Sequence, residues 1–194
     1  MEKIDEKFKI NCQEPSDINE HLPTLLKYGK ECEHITELGV RWVSSTWSLL
    51  LSNPKKMISI DIVKHPNIDE VIELSKEYNI DYTFIESDVL DMEIENTDLL
   101  FIDTLHTYNQ LIKELELHSI KVSKYIILHD TVTFGNTDEI IYDESSNLIK
   151  NQTVTKTGLK TAALDFLNSE IGKDWLIFEE YFNNNGLLIM KKNI

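Results

Sequence analysis

The chain has 194 residues, two cysteines and a formal net charge of −15, with 41% hydrophobic and 27% charged residues. These values fit one domain large enough to bury a core without disulfides or a structural metal. They exclude a disulfide framework, because Cys12 and Cys32 form no Cys-x-x-Cys pair and read as free thiols, and they argue against nucleic acid, whose phosphates an acidic surface repels.

The opening stretch MEKIDEKFKINCQ is charged and lacks the apolar centre of a signal peptide. No apolar run reaches the ~18 residues of a membrane span. The expectation is a cytoplasmic protein without a membrane partner, in which residues 1–16 form a flexible or peripheral N-terminus ahead of a single domain. The first helix candidate is 17–30, with Ile18, Leu22, Leu25 and Leu26 at helical spacing. A first strand follows at 34–40, then a helix at 45–52 for which Ser45 and Thr46 are reasonable caps. Strand 57–62 precedes helix 67–78, and strands 82–86 and 98–103 precede helix 107–122. A fifth strand is expected at 124–129. The strand candidates are rich in Ile, Leu, Val, Phe and Tyr, which suits central strands covered on both faces. Residues 132–157 are polar, without sustained period, and read as a lid-like loop. The tail holds a helix candidate at 158–170 and strand candidates at 175–182 and 186–191, joined by Asn183-Asn184-Asn185-Gly186, strong turn chemistry. Alternation of strands and helices predicts a doubly wound, mostly parallel α/β sheet ending in an antiparallel hairpin.

In such sheets ligands bind beyond the carboxyl ends of the strands. The polar residues there are Glu37 and Gly39, Asp61, Ser87 and Asp88, Asp103 and His106, and His129 and Asp130. Gly39 permits close backbone approach to a ligand, and Ser44, Ser45 and Thr46 offer hydroxyls near a helix N-terminus. The alternative is an ordinary turn with a capping serine. No G-x-G-x-x-G is present, which argues against a dinucleotide. Asp61 stands 22 residues after Gly39, close to the roughly twenty at which an acid grips ribose hydroxyls. Asp88 either accepts from an adenine amino group or is a loop carboxylate. Asp103 and His106, three apart, share a face if the helix has begun there. His106 is then either a proton acceptor or a helix-start packing residue. Asp103 and Asp130, on neighbouring strands if the strands at 98–103 and 124–129 pair, could share a hard cation such as Mg²⁺; the alternative is that Asp130 binds backbone amides in the following turn.

These residues resemble the class I S-adenosylmethionine-dependent methyltransferases, a Rossmann-like family, over a span from about residue 18 to the C-terminus. Glu37-Leu38-Gly39 resembles the family's first motif, Asp61 its ribose acid and Ser87-Asp88 its adenine-side acid. Phe101-Ile102-Asp103-Thr104-Leu105-His106-Thr107-Tyr108 and Leu128-His129-Asp130-Thr131 look like the small metal-dependent O-methyltransferases that act on sugars of macrolides and related glycans. The resemblance implies S-adenosylmethionine held by Glu37, Gly39, Ser45, Thr46, Asp61, Ser87 and Asp88. It implies a divalent metal on Asp103, His129 and Asp130, and His106 as general base with Asp103 beside it. The implied partner is a small-molecule or glycan acceptor, and helix 17–30 and the hairpin could supply a homo-oligomer interface. The chain departs from the pattern at Trp42 and Val43, where a second glycine is usual, and at His129, where an acid is usual. A histidine there widens the range of ions toward borderline ones. The competing readings are a protein that binds S-adenosylmethionine or an adenosine metabolite without transfer, and a metal-dependent hydrolase.

Overall fold

The computed structural model describes residues 1–140 and 155–193. Seven strands form one sheet: β1 (His34–Leu38), β2 (Lys56–Asp61), β3 (Asp81–Glu86), β4 (Thr97–Ile102), β5 (Val122–His129), β6 (Trp175–Tyr181) and β7 (Leu187–Lys192). Their order is β3-β2-β1-β4-β5-β7-β6. The first five pair in parallel, while β7 pairs antiparallel with both β5 and β6. This is the doubly wound, Rossmann-like sheet with a C-terminal hairpin expected from the sequence.

The strands are apolar on both faces because both faces are covered. Ile35, Met57, Leu99, Phe101, Tyr125, Ile127, Leu187 and Ile189 share one core with α1 (Glu2–Gln13), α2 (Leu22–Gly29), α3 (Ser44–Leu51) and α4 (Ile68–Glu77). Their neighbours Leu38, Ile58, Ile60, Leu100, Ile102, Ile126, Leu128, Leu188 and Met190 point the other way, against α5 (Tyr108–His118) and α6 (Leu159–Leu167). The period of two along each strand divides these sets.

Two elements differ from the sequence reading. Residues 1–16 are not left peripheral: α1 occupies most of them and Ile4 is fully buried in the first core. Only Ile4 of that helix is buried, so its sequence carries little apolar period. The helix expected over 17–30 is a 3₁₀ turn, Asn19–His21, followed by α2, with Pro23 in its first turn. No helix among the described residues is long and apolar enough to cross a membrane.

The strand order reverses between β1 and β4, since β2 follows β1 on one side and β4 lies on the other. Leu38, Ile102 and Leu128 are in register, so the residues that follow them, Gly39, Asp103 and His129, emerge side by side. At Gly39 the fit is tight. Its φ is +82°, and a Cβ would lie 2.0 Å from the Asp103 carbonyl oxygen. The glycine that the sequence suggested for a ligand's approach is required first by the neighbouring strand. At the hairpin, Asn184, Asn185 and Gly186 all have positive φ, and a Cβ on Gly186 would meet the backbone nitrogen of Val132. The hairpin tip therefore rests directly on the segment leaving β5.

Candidate active site

A cleft of about 370 Å³ opens beside the reversal point. It is lined by Gly39, Val40, Asp61, Ile62, Asp88, Asp103, Thr104 and Gln110, among others. The size lies within the range of small-molecule pockets. Gly39, Asp61, Asp88 and Asp103 of the predicted set thus face one space. Asp61 also shapes the loop after β1, accepting from the backbone N–H of Val40 at 2.8 Å and of Arg41 at 3.1 Å. That loop lacks a second glycine and still makes the turn, with Arg41 at φ 45° and Val43 at φ 65°. Asp88 caps a short turn by accepting from Leu90 N–H at 2.9 Å. Ser87 is half-buried and is not among the residues lining the cleft.

Glu37, Ser45 and Thr46 lie beneath this floor. Glu37 is fully buried and accepts from Ser45 Oγ at 2.6 Å, Thr46 Oγ1 at 2.9 Å and Ser59 Oγ at 2.6 Å. The two hydroxyls read as helix caps are spent on this carboxyl, which ties α3 to β1 and β2. Burial pushes Glu37 up to about 7, against the three hydroxyl donors that favour its ionised form. The folded value lies above the ordinary 4.5, so the protonated form is the one favoured by folding. The stability it contributes is complete below pH 4.5 and lost as pH rises to about 7, by about 3 kcal/mol. Thermal or urea unfolding of wild type against Glu37→Gln should show this limb in the wild type and its absence in the variant.

The second group of predicted residues converges at the ends of β4 and β5. His106 Nε2 lies 2.9 Å from Asp130 Oδ2 and 3.4 Å from Asp103 Oδ1. His129 Nδ1 lies 3.2 Å from Asp103 Oδ1 and 3.3 Å from Asp130 Oδ2. His129 and Asp130 are buried, while Asp103 keeps 26% of its side chain exposed. Asp130 sits at φ 58°, a left-handed conformation that costs strain in a non-glycine residue. Burial disfavours the charged form of both imidazoles, but Asp103 and Asp130 overcome it and push His106 and His129 up to about 10. Burial likewise opposes ionisation of the two acids, and the imidazoles hold both below the usual carboxylate range.

Two observations test whether a cation fits here. Asp130 Oδ1 is buried without a hydrogen-bond partner, which is costly for a carboxylate oxygen. One ligand atom each from Asp103, His129 and Asp130 lie within 4.8 Å of one another. His129 Nε2 meets the backbone carbonyl of Asp17 at 3.1 Å. A carbonyl only accepts, so Nε2 carries a proton and Nδ1 is the nitrogen turned toward the two acids. This backing is typical of metal-binding histidines. The residues fit a divalent cation: two oxygens and one imidazole suit Mg²⁺ or a more borderline ion.

Several residues of the site were not singled out from the sequence. Asp17 belongs to an N-terminal strap that His21 and Asn184 fasten to the hairpin. His21 Nε2 lies 3.0 Å from the Asn183 carbonyl, and Asn184 Nδ2 donates to the Ser16 carbonyl at 2.7 Å. Arg41 pairs with Asp17 at 3.0 Å across the rim. Phe134 stacks on His106, and Glu139 meets its Nδ1 at 3.0 Å. Both lie in the expected lid 132–157, of which 141–154 fall outside the described residues. Asp17 acts through its backbone, and no sequence pattern marks such a contact.

No family sequence model matches the chain, and no curated protein matches it by sequence. Solved structures match its fold. An O-methyltransferase from Bacillus cereus in complex with SAH aligns with a TM-score of 0.60 at 12% identity, over 99% of this chain and 91% of that one. The SAH-bound methyltransferase PaMTH1 of Podospora anserina aligns at 0.61 with 12% identity, over 97% and 87%. A Burkholderia thailandensis 1,6-didemethyltoxoflavin-N1-methyltransferase, with bound 1,6-didemethyltoxoflavin and S-adenosylhomocysteine, aligns at 0.60 with 10% identity, over 92% and 79%. With its strand order and reversal point, this chain has the fold of the class I S-adenosylmethionine-dependent methyltransferases.

Proposed function

We propose that the chain is a methyltransferase that moves the methyl group of S-adenosylmethionine to a hydroxyl of a small molecule, with a sugar or glycan as the acceptor class. The observation that carries this is the junction of two sites. Asp103 lines the cleft beside Gly39 and Asp61 and also belongs to the cluster of His106, His129 and Asp130. A donor in the cleft and an acceptor at the cluster would meet there. The sulfonium already activates the methyl group, so the protein must align the acceptor oxygen and take its proton.

Gly39, Asp61 and Asp88 would bind the donor. Glu37, Ser45 and Thr46, assigned to the donor by resemblance, would support it from below as the buried tie under the loop. Asp103, His129 and Asp130 would hold a divalent cation, which when bound lowers the pKa of a coordinated hydroxyl. His106 would accept the hydroxyl proton through Nε2. With its pKa near 10 it is protonated at neutral pH, the wrong state for a base. With Asp103 and Asp130 engaged as ligands, their charge would no longer hold this proton, and His106 would be free to accept one through Nε2.

Calorimetry with S-adenosylmethionine, followed by transfer of its labelled methyl group to a panel of free sugars, nucleotide-linked sugars and catechol, with and without Mg²⁺, tests the proposal. Asp61→Ala should weaken donor binding about tenfold or more, the loss of one charged hydrogen-bonding group. An unchanged affinity would remove Asp61 from the donor site. Donor binding without transfer to any acceptor would favour the non-catalytic reading.

A further inference from the structure

We propose that Glu139 is a positioning residue for His106: it holds the Nδ1–H of the imidazole and thereby aims Nε2 at Asp103 and Asp130. The inference rests on the reading of His106 as the general base, and it adds the group that makes the base directional.

Three hydrogen bonds join the two residues. Glu139 N–H donates to the His106 carbonyl at 2.8 Å. His106 N–H donates to Glu139 Oε2 at 3.4 Å. The same oxygen lies 3.0 Å from His106 Nδ1. A carboxylate only accepts, so Nδ1 carries a proton toward Glu139 and, by the same rule, Nε2 carries one toward Asp103 and Asp130. Glu139 retains the Nδ1 proton, so the proton that leaves to make the base is the one on Nε2. Phe134 fixes the ring in the other dimension, lying parallel to it at 4.8 Å between centroids with 2° between planes. One face and one edge are both restrained, so neither a ring flip nor the other tautomer is available without breaking a contact.

The segment that carries Glu139 is anchored. Asp138 Oδ1 accepts from Tyr108 N–H at 2.8 Å, at the start of α5, and from Gly158 N–H at 2.7 Å, just before α6. Phe134 and Gly135 carbonyls accept from Leu159 and Lys160 N–H at 2.8 and 3.0 Å. Glu139 is thus delivered to His106 by backbone anchored at Phe134, Gly135 and Asp138, just ahead of it. A solvated loop carboxylate would not need reciprocal main-chain bonds with the residue it faces. Its side chain is 40% exposed, so the contact with His106 is made at the rim of the site. A carboxylate that orients a basic imidazole is a recurring catalytic arrangement.

The test compares Glu139→Ala with Glu139→Gln in the full chain. Both donors of His106 point at one oxygen, so the glutamine amide oxygen can replace it, whereas alanine cannot. Glu139→Ala should lower kcat about 10- to 100-fold while leaving the KM for S-adenosylmethionine unchanged. Glu139→Gln should retain most of the rate. In ¹⁵N-labelled protein, the Nδ1-bound proton of His106 should give a downfield, slowly exchanging signal. It should persist in Glu139→Gln and vanish in Glu139→Ala. This signal does not depend on turnover or on a bound metal. The proposal fails if Glu139→Ala keeps the signal and the wild-type kcat, or if Glu139→Gln falls as far as Glu139→Ala. If His106→Ala itself turns over at the wild-type rate, the base reading fails first, and the positioning role fails with it. A dead His106→Ala beside a fully active Glu139→Ala overturns the positioning role alone.

Discussion

His106→Ala is expected to lower methyl transfer by about 1,000-fold while S-adenosylmethionine binds with wild-type affinity. The size is that of a positioned general base removed from a transfer step. The donor should be indifferent because His106 lies among Asp103, Asp130 and Glu139 and is not among the residues lining the cleft. Calorimetry of donor binding and single-turnover kinetics read the two quantities separately. A variant that methylates at the wild-type rate would remove His106 from the chemistry. The variant should be less stable than wild type, because the buried Asp130 loses its 2.9 Å partner, so circular dichroism must show it folded before the rate is read.

The second large effect concerns the cation. Mg²⁺ or Zn²⁺ titrated into the protein is expected to bind with release of protons, and affinity should rise about tenfold per pH unit for each proton released. The sign follows from the cluster. Asp103 and Asp130 hold His129 protonated well above its ordinary range, so binding through His129 Nδ1 must expel that proton. Calorimetry in buffers of different ionisation enthalpy counts the protons. An ion at 100 times its Kd should also stabilise the fold by about 2.7 kcal/mol, and Asp130→Asn should abolish both effects. Transfer that survives exhaustive chelation would take Asp103, His129 and Asp130 out of a metal role. Binding with no pH dependence would mean that His129 is not a ligand.

These two predictions divide what the resemblance joined. Asp103 and His106 read as one constellation in the chain, three residues apart. In the fold Asp103 belongs to both the cleft and the cluster, whereas His106 belongs to the cluster. Glu37 shows the opposite. It opens the motif that resembles a donor-binding signature, yet it is fully buried and spent on Ser45, Thr46 and Ser59. A strand-end acid on the face packed against α3 is a tie, while Asp61, at the end of the adjacent strand, reaches the cleft. Glu37 pairs with Ser59, and Asp61 stands two residues beyond Ser59, on the same face but past the last β1–β2 pair. Depth along the strand separates the tie from the cleft acid, and local sequence does not say where the cleft begins.

The sequence by itself determined the alternation of β1 to β5 with their helices, the antiparallel tail and its asparagine-glycine turn. Hydrophobic period and turn chemistry are local properties, legible within a few residues. It also determined which polar groups stand at the strand ends, since those are the residues just beyond each apolar run. It left α1 unseen, because a helix that buries a single side chain shows no apolar stripe. Only the tertiary structure decided which of the strand-end groups meet. Registry between β1, β4 and β5 sets Gly39, Asp103 and His129 side by side. The hairpin tip and the strap at residues 16–21 bring the Asp17 carbonyl to His129, and the loop after β5 brings Glu139 to His106. These contacts join residues 26 to 168 positions apart, and such separations are fixed by chain topology and packing, which no local pattern encodes.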